Sequence, residues 1–232
     1  MERRSPFHKR IRTELTMTNI FIIIFGIIFL CGLLFYEKKK NTTSLLIAKS
    51  VLSFLFVMTA LLQPRPVPAY YHYLLVGLIF CLIGDVCLAL PQDKAFRIGL
   101  IAFLIGHIFY IFSFSSLIQI DQWFSGLSFY LFGISALIFL WLRPHLKSML
   151  IPVLLYIVVI TLMLSGAWAV FLKSPFHVLG RTILLSGSLC FYVSDIFVAR
   201  DKFIKEEFLN RLLGLPLYYA GQFMLAFSIG LL

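Results

Sequence analysis

The feature that most constrains this chain is a series of eight long apolar runs, separated by short segments that carry charges, prolines or both. A helix needs about 20 apolar residues to cross the hydrocarbon core of a bilayer. Each run is continuously apolar, whereas a membrane-spanning strand would alternate apolar and polar side chains. The sequence therefore predicts an all-α, polytopic membrane protein, a bundle of eight transmembrane helices at residues 18–35, 43–62, 72–90, 96–115, 122–142, 149–170, 179–199 and 212–231.

Composition supports this interpretation and leaves no room for a separate soluble domain. The 232 residues are 61% hydrophobic and only 13% charged, far from the usage of soluble domains. We expect residues 1–17 to form a basic N-terminal tail and residues 18–232 to form a single transmembrane domain. The first run follows basic residues, as a secretory signal does, but it lacks a small-x-small cleavage site. We therefore expect it to be a retained span.

The charge of the chain points to membrane lipids as its surroundings. Lys and Arg number 20 against 10 Asp and Glu, but the basic residues lie in the short segments between apolar runs, where they act as topology signals and contact anionic headgroups. This distribution excludes a nucleic-acid partner. It predicts an integral multi-pass protein of a bacterial inner membrane or a eukaryotic endoplasmic reticulum. Orientation and oligomeric state stay open, because basic residues are divided almost evenly between the two sets of loops.

Small residues indicate how the helices pack. Ten glycines form five pairs spaced by seven residues, each pair in a different run, and this spacing returns a small residue to the same helix face. An offset of 110 residues also relates Gly77 and Asp85 to Gly187 and Asp195, which favours a parallel repeat of the third and seventh spans. The four cysteines all lie within apolar runs and are expected to be packing residues: Cys31, Cys81, Cys87 and Cys190.

A few polar residues interrupt the runs, and ionisable groups at membrane depth are functional candidates. At 1.5 Å per residue, a cation, two carboxylates and a phenol fall at one depth below the first, third, fifth and seventh loops. We therefore expect a polar chamber open to that side. Structural alternatives are a lysine that snorkels to the interface, aspartates and a histidine that only bond neighbouring helices, and tyrosines of an aromatic belt. The candidates are Lys49, Asp85, His107, Asp195, Tyr218, Tyr219 and Gln222.

Two carboxylates in such a chamber suit acid and base catalysis. Charging both would be unfavourable, so we expect Asp85 and Asp195 to share a single proton near neutral pH, as the paired carboxylates of glycosidases do. Other catalytic signals are weak. The five histidines lack the spacing of metal ligands, no Gly-x-Ser-x-Gly elbow is present, and the segment before Asp85 only partly matches the motif of intramembrane aspartyl proteases. We expect no metal and no cofactor.

The order of these residues resembles the YhhN-like lysoplasmalogenase family. The resemblance rests on Lys49, Gly84-Asp85, Gly106-His107-x-x-Tyr110, Ser194-Asp195 and Tyr218-Tyr219-x-x-Gln222, in the expected spans. It implies an eight-span hydrolase that cleaves the vinyl ether bond of lysoplasmalogens, with Asp85 and Asp195 as the catalytic pair. Lys49, His107, Tyr218, Tyr219 and Gln222 become substrate-binding candidates, with Lys49 or Tyr218 at the headgroup phosphate. The chain departs from the family where Ser50-Val51 replaces the usual nearby proline, and in its longer, more basic N-terminus.

The sequence thus predicts a lysophospholipid substrate, which is hydrolysed to a fatty aldehyde and a glycerophospho-base. A transporter or flippase for a lipid or small molecule is the alternative, since it would use a similar chamber and a similar repeat. An intramembrane protease and a structural or lipid-sensing protein are further alternatives. A flippase differs in needing a polar path through both halves of the membrane.

Overall fold

The computed structural model describes residues 6–124 and 126–232, with side chains from Met17 onward except at positions 125 and 127. Within this part the regular structure is all helical, which confirms the predicted bundle. The eight long helices are α1 (Pro6–Lys39), α2 (Thr42–Leu62), α3 (Pro68–Leu88), α4 (Asp93–Ser115), α5 (Gly126–Leu142), α6 (Leu150–Lys173), α7 (Val178–Phe203) and α8 (Phe208–Ser228). The first five residues of the predicted basic tail lie outside the described residues, and α1 already begins at Pro6.

Membrane-spanning character is clear for six of the eight helices in the described part of the chain. The region Met17–Lys39 of α1 and the helices α2, α3, α4, α6 and α7 are long and apolar enough to cross a bilayer. The other two helices are shorter or more polar. Helix α5 has only 17 residues, and α8 carries the polar residues Asn210, Arg211 and Gln222. The chain is therefore an integral, multi-pass membrane protein, and α5 and α8 complete the bundle around the six long spans.

The predicted start of the fifth span, at residue 122, is wrong. The segment Ile120–Trp123 forms a short 3-10 turn, and α5 begins only at Gly126. The cause is Trp123, whose indole is fully buried and donates to the carbonyl oxygen of Ile118 across 3.3 Å. Its ring packs so closely on Gly166 of α6 that a Cβ atom there would lie 2.6 Å from it. Anchoring the indole in this position requires a turn before the helix.

Two antiparallel helix pairs pack through glycines, as the spacing of seven residues predicts. Between α3 and α4, a Cβ atom on Gly77 would lie 3.0 Å from the backbone oxygen of Gly106. Between α7 and α8, a Cβ atom on Gly221 would lie 2.8 Å from the backbone oxygen of Gly187. Only glycine permits such close approach of two backbones. The prediction is wrong for α5, where a Cβ atom on Gly133 would meet no described atom within 4 Å.

The helix contacts are consistent with a repeat of four helices. Helix α2 packs on α3 and α8, and α6 packs on α7 and α4 in the corresponding way. The Gly77–Gly106 contact of α3 and α4 corresponds to the Gly187–Gly221 contact of α7 and α8. Asp85 and Asp195 occupy equivalent places in the two pairs, eight residues after Gly77 and Gly187. The arrangement brings both aspartates to the same end of the bundle.

Candidate active site

A cavity of about 730 Å³ opens at one end of the bundle. Its walls come from all eight long helices, α1 contributing Glu37, and its mouth from the loops after α1, α3 and α7. Four of the candidates named from the sequence line it together: Lys49, Asp85, Asp195 and Tyr218. These four residues, which the sequence places at one depth, therefore line one cavity. The cavity opens on the side of the odd-numbered loops, as the sequence predicts.

Asp85 lies near the end of α3 and is only 5% exposed. Tyr218 of α8 donates its hydroxyl to Asp85 Oδ2 across 2.6 Å. Ser53 of α2 donates to the same oxygen across 2.5 Å, and the backbone oxygen of Lys49 lies 2.9 Å from that hydroxyl. Two side chains from two other helices therefore fix this carboxyl group, as a preorganised catalytic carboxylate requires.

Asp195 of α7 is partly buried and has a different partner. Tyr156 of α6 donates its hydroxyl to Asp195 Oδ2 across 2.6 Å, and both residues line the cavity. Sequence reasoning missed Tyr156 and Ser53. The only signal for Ser53 was its position one helical turn after Lys49, on the same face of α2.

Lys49 is buried in the bundle. Its side chain is 7% exposed, and its Nζ lies 4.0 Å from Oε1 of Glu37 at the end of α1. Arg211 donates to the same oxygen across 3.0 Å and, through Nε, to Asp201 across 2.7 Å. The ammonium group of Lys49 therefore has charge compensation but no close hydrogen bond to Glu37, and it lines the cavity.

The other three predicted residues lie behind the cavity wall. His107 is fully buried, with Nδ1 2.6 Å from the carbonyl oxygen of Phe103. Gln222 accepts a hydrogen bond from Tyr110 across 2.7 Å, and the Tyr219 ring stacks edge-on against Tyr218 at 4.8 Å between centroids. The sequence indicated the depth of each residue but not the direction of its side chain. The side chains of these three residues point into the contacts between helices and not into the cavity.

Other groups of reactive side chains are few. The four cysteines are free, as their positions in apolar runs predict. Among the side chains that the structure describes, from Met17 onward, no three of His, Cys, Asp or Glu are grouped as a metal site requires.

Fold and site together define a polytopic membrane protein whose cavity, lined by apolar and ionisable side chains, opens at one end of the bundle. The profile of the YhhN family matches residues 43–229, and the chain belongs to this family. It is also 31% identical, over 164 residues, to a lysoplasmalogenase, TMEM86B, of Rattus norvegicus. That alignment covers 68% of this chain and 62% of the relative, so the chain matches less than two thirds of the relative's length. No solved structure matches the chain.

Proposed function

We propose that the protein hydrolyses the vinyl ether bond of lysoplasmalogens, the single-chain 1-alkenyl glycerophospholipids, and releases a fatty aldehyde and a glycerophospho-base. The observation that carries the proposal is the placement of Asp85 and Asp195 in one cavity at the membrane, each held by hydroxyl donors. Membership of the YhhN family and the name of the rat relative support the same activity.

The chemistry of a vinyl ether matches a carboxyl pair that holds one proton. The protonated aspartate gives its proton to the alkene carbon remote from the oxygen, and the electrons of the double bond form the new C–H bond. The carbon attached to oxygen becomes an oxocarbenium ion, which the ionised aspartate stabilises. Water adds to that carbon, and the proton it loses returns to the carboxyl pair. The product of this stage is a hemiacetal.

Collapse of the hemiacetal completes the reaction with the same two groups. Its hydroxyl proton goes to the carboxylate, the bond to the glycerol oxygen breaks, and the protonated aspartate supplies a proton to that oxygen. The aldehyde and the glycerophospho-base then leave, and the pair again holds a single proton. Asp85 and Asp195 are the proposed catalytic residues.

The rest of the cavity suits a single-chain phospholipid. Its volume of about 730 Å³ falls in the range of ligand pockets, which is about 300–1,000 Å³. Lys49 offers an ammonium group to the headgroup phosphate near the mouth. Apolar side chains of several helices line the remaining wall and provide contacts for the alkenyl chain, among them Leu100, Phe103, Ile138, Ile157 and Leu215.

A flippase is the competing interpretation, and the shape of the cavity argues against it. A transporter needs polar groups along a path to both membrane faces. The cavity lining comes from the same end of each helix, for example from residues 42–49 of α2 and residues 210–218 of α8. A cavity restricted to one end fits a substrate that enters and leaves on one side of the membrane.

Aldehyde release from lysoplasmenyl-ethanolamine by the purified protein tests the proposal. Wild-type protein should release aldehyde, and the Asp85→Asn and Asp195→Asn variants should reduce release to background. Asp121→Asn is the matched control, because Asp121 is exposed and is not part of the cavity lining. Undiminished release by either cavity variant rejects the carboxyl-pair mechanism. If wild-type protein releases no aldehyde but hydrolyses other lysolipids, the proposed substrate is rejected.

A further inference from the structure

The two aspartates occupy equivalent places in a repeated framework, but their surroundings differ. Asp85 follows Gly77, and Asp195 follows Gly187, by the same eight residues. The glycine contacts Gly77–Gly106 and Gly187–Gly221 relate α4 to α8 with an offset of 115 residues. The two positions differ in one backbone respect, because α3 ends at Leu88, three residues after Asp85, whereas α7 continues to Phe203. The other differences between the two carboxyl groups come from neighbouring side chains.

The surroundings of Asp85 are rich in hydrogen-bond donors. Ser53 and Tyr218 both place hydroxyl groups on Oδ2, and the Lys49 ammonium group lines the same cavity. An ionised carboxylate only accepts hydrogen bonds, whereas a protonated carboxyl group also has a proton to donate. Two hydroxyl donors converging on a single oxygen, with a cation nearby, match the ionised form.

Asp195 has fewer donors. Among the described residues, the one hydrogen bond to its side chain comes from Tyr156 to Oδ2. Helix α6 packs on α7 as α2 packs on α3, and its cavity-lining residues near Tyr156 are apolar: Val153, Ile157 and Ile160. The His107 ring also lies against Tyr156, with 5.2 Å between the ring centroids.

The offset of 115 residues relates Tyr218 of α8 to Phe103 of α4. Phenylalanine has no hydroxyl group, so α4 offers Asp195 no counterpart of the Tyr218 hydrogen bond. In both aspartates the hydrogen bonds from described residues end on Oδ2, so the two carboxyl groups differ in the number of donors, two for Asp85 and one for Asp195. Because donors stabilise the ionised form, the carboxyl group with one donor is the better place for the shared proton.

We infer that Asp195 holds the shared proton and is the acid that protonates the alkene, whereas Asp85 is the standing carboxylate that stabilises the oxocarbenium ion. Tyr156 is then a positioning residue, because its hydroxyl fixes Oδ2 and turns the proton on Oδ1 toward the substrate. The assignment rests on the proposed hydrolase function. It goes beyond that function by giving two equivalent aspartates separate roles.

Infrared difference spectroscopy of the protein in lipid bilayers, at neutral pH and without substrate, tests the assignment. The C=O stretching band of a protonated carboxyl group should be present in wild-type protein, absent in Asp195→Asn and retained in Asp85→Asn. Tyr156→Phe should shift this band to higher frequency, because the carbonyl loses a hydrogen bond. Tyr218→Phe is the matched control and should leave the band in place, since its hydroxyl bonds Asp85.

Three outcomes overturn the assignment. These are a wild-type spectrum without a protonated carboxyl band, a band lost in Asp85→Asn but kept in Asp195→Asn, and a band shifted by Tyr218→Phe instead of Tyr156→Phe. The phenylalanine variants keep both carboxyl groups, so the test does not depend on how the asparagine variants fold. Aldehyde release by the same preparations is scored separately. If the spectra are as expected but no aldehyde is released, the assignment of the proton to Asp195 stands and the hydrolase function is rejected.

Discussion

Replacing Tyr218 by phenylalanine removes one hydroxyl group and little else from the candidate site. The lost hydrogen bond spans 2.6 Å and ends on Asp85 Oδ2, inside a buried cavity. Hydrogen bonds to a charged group contribute about 1.5–3 kcal/mol. If the bond stabilises the carboxylate that faces the oxocarbenium ion, turnover should fall by roughly 10- to 150-fold, since each 1.36 kcal/mol is about tenfold in rate.

The assay is kcat for aldehyde release from lysoplasmenyl-ethanolamine by purified protein. Tyr70→Phe is the matched control, because Tyr70 is also buried and its hydroxyl lies 2.6 Å from that of Ser228. Tyr70 is not part of the cavity lining, so its variant should lose thermal stability but keep its kcat. Ser53→Ala should behave like Tyr218→Phe, and the double variant should lose less than the sum of the two, since both hydroxyls share one oxygen.

Full turnover by Tyr218→Phe would refute this reasoning. An equal loss in Tyr70→Phe would refute it as well, because the effect would then follow from any lost hydrogen bond in the bundle and not from the contact with Asp85.

Two further predictions concern the substrate and the packing. Lys49→Met should raise KM for lysoplasmenyl-ethanolamine by roughly 10- to 150-fold, as expected for the loss of about 1.5–3 kcal/mol of charged hydrogen bonding, and should not change KM for a 1-alkenylglycerol without phosphate. An equal rise for both lipids would show that Lys49 does not bind the phosphate. Gly221→Ala should lower the free energy of unfolding by about 1–3 kcal/mol, because its Cβ atom would lie 2.8 Å from the backbone oxygen of Gly187. Gly133→Ala has open space around it and should leave the thermal unfolding temperature unchanged, so equal shifts in the two variants would contradict the packing account.

Much of the fold was predictable because the bilayer restricts a spanning chain to continuous apolar helices. Hydropathy placed all eight long helices. It failed at residue 122, where the contact of Trp123 with Gly166 decides the start of α5. Such a contact depends on a residue more than 40 positions away, and no local pattern reveals it. The spacing of glycines by seven residues likewise predicted close helix packing correctly for α3 and α7. It failed for α5, where a Cβ atom on either glycine would meet no described atom within 4 Å.

The site was predictable where a residue is unusual for its surroundings. Asp85, Asp195 and Lys49 stand out because charges are rare in apolar runs. Tyr156 and Ser53 do not stand out, because tyrosine and serine are common in membrane helices and only their contacts give them a role. Glu37 lies outside the predicted first span, yet its side chain is only 9% exposed beside Lys49. Depth along a helix could be read from the sequence, but the direction of a side chain required the packed structure.

The most direct test of acid-initiated vinyl ether cleavage is a comparison of three lysolipids matched in chain length and headgroup. They carry the chain at position 1 as an alkenyl ether, an alkyl ether or an acyl ester, and the release of glycerophosphoethanolamine by purified protein is measured for each. The account predicts release from the alkenyl ether alone, because only that bond accepts a proton on carbon to give an oxocarbenium ion. Release from the alkyl ether or the acyl ester at a comparable rate would contradict it.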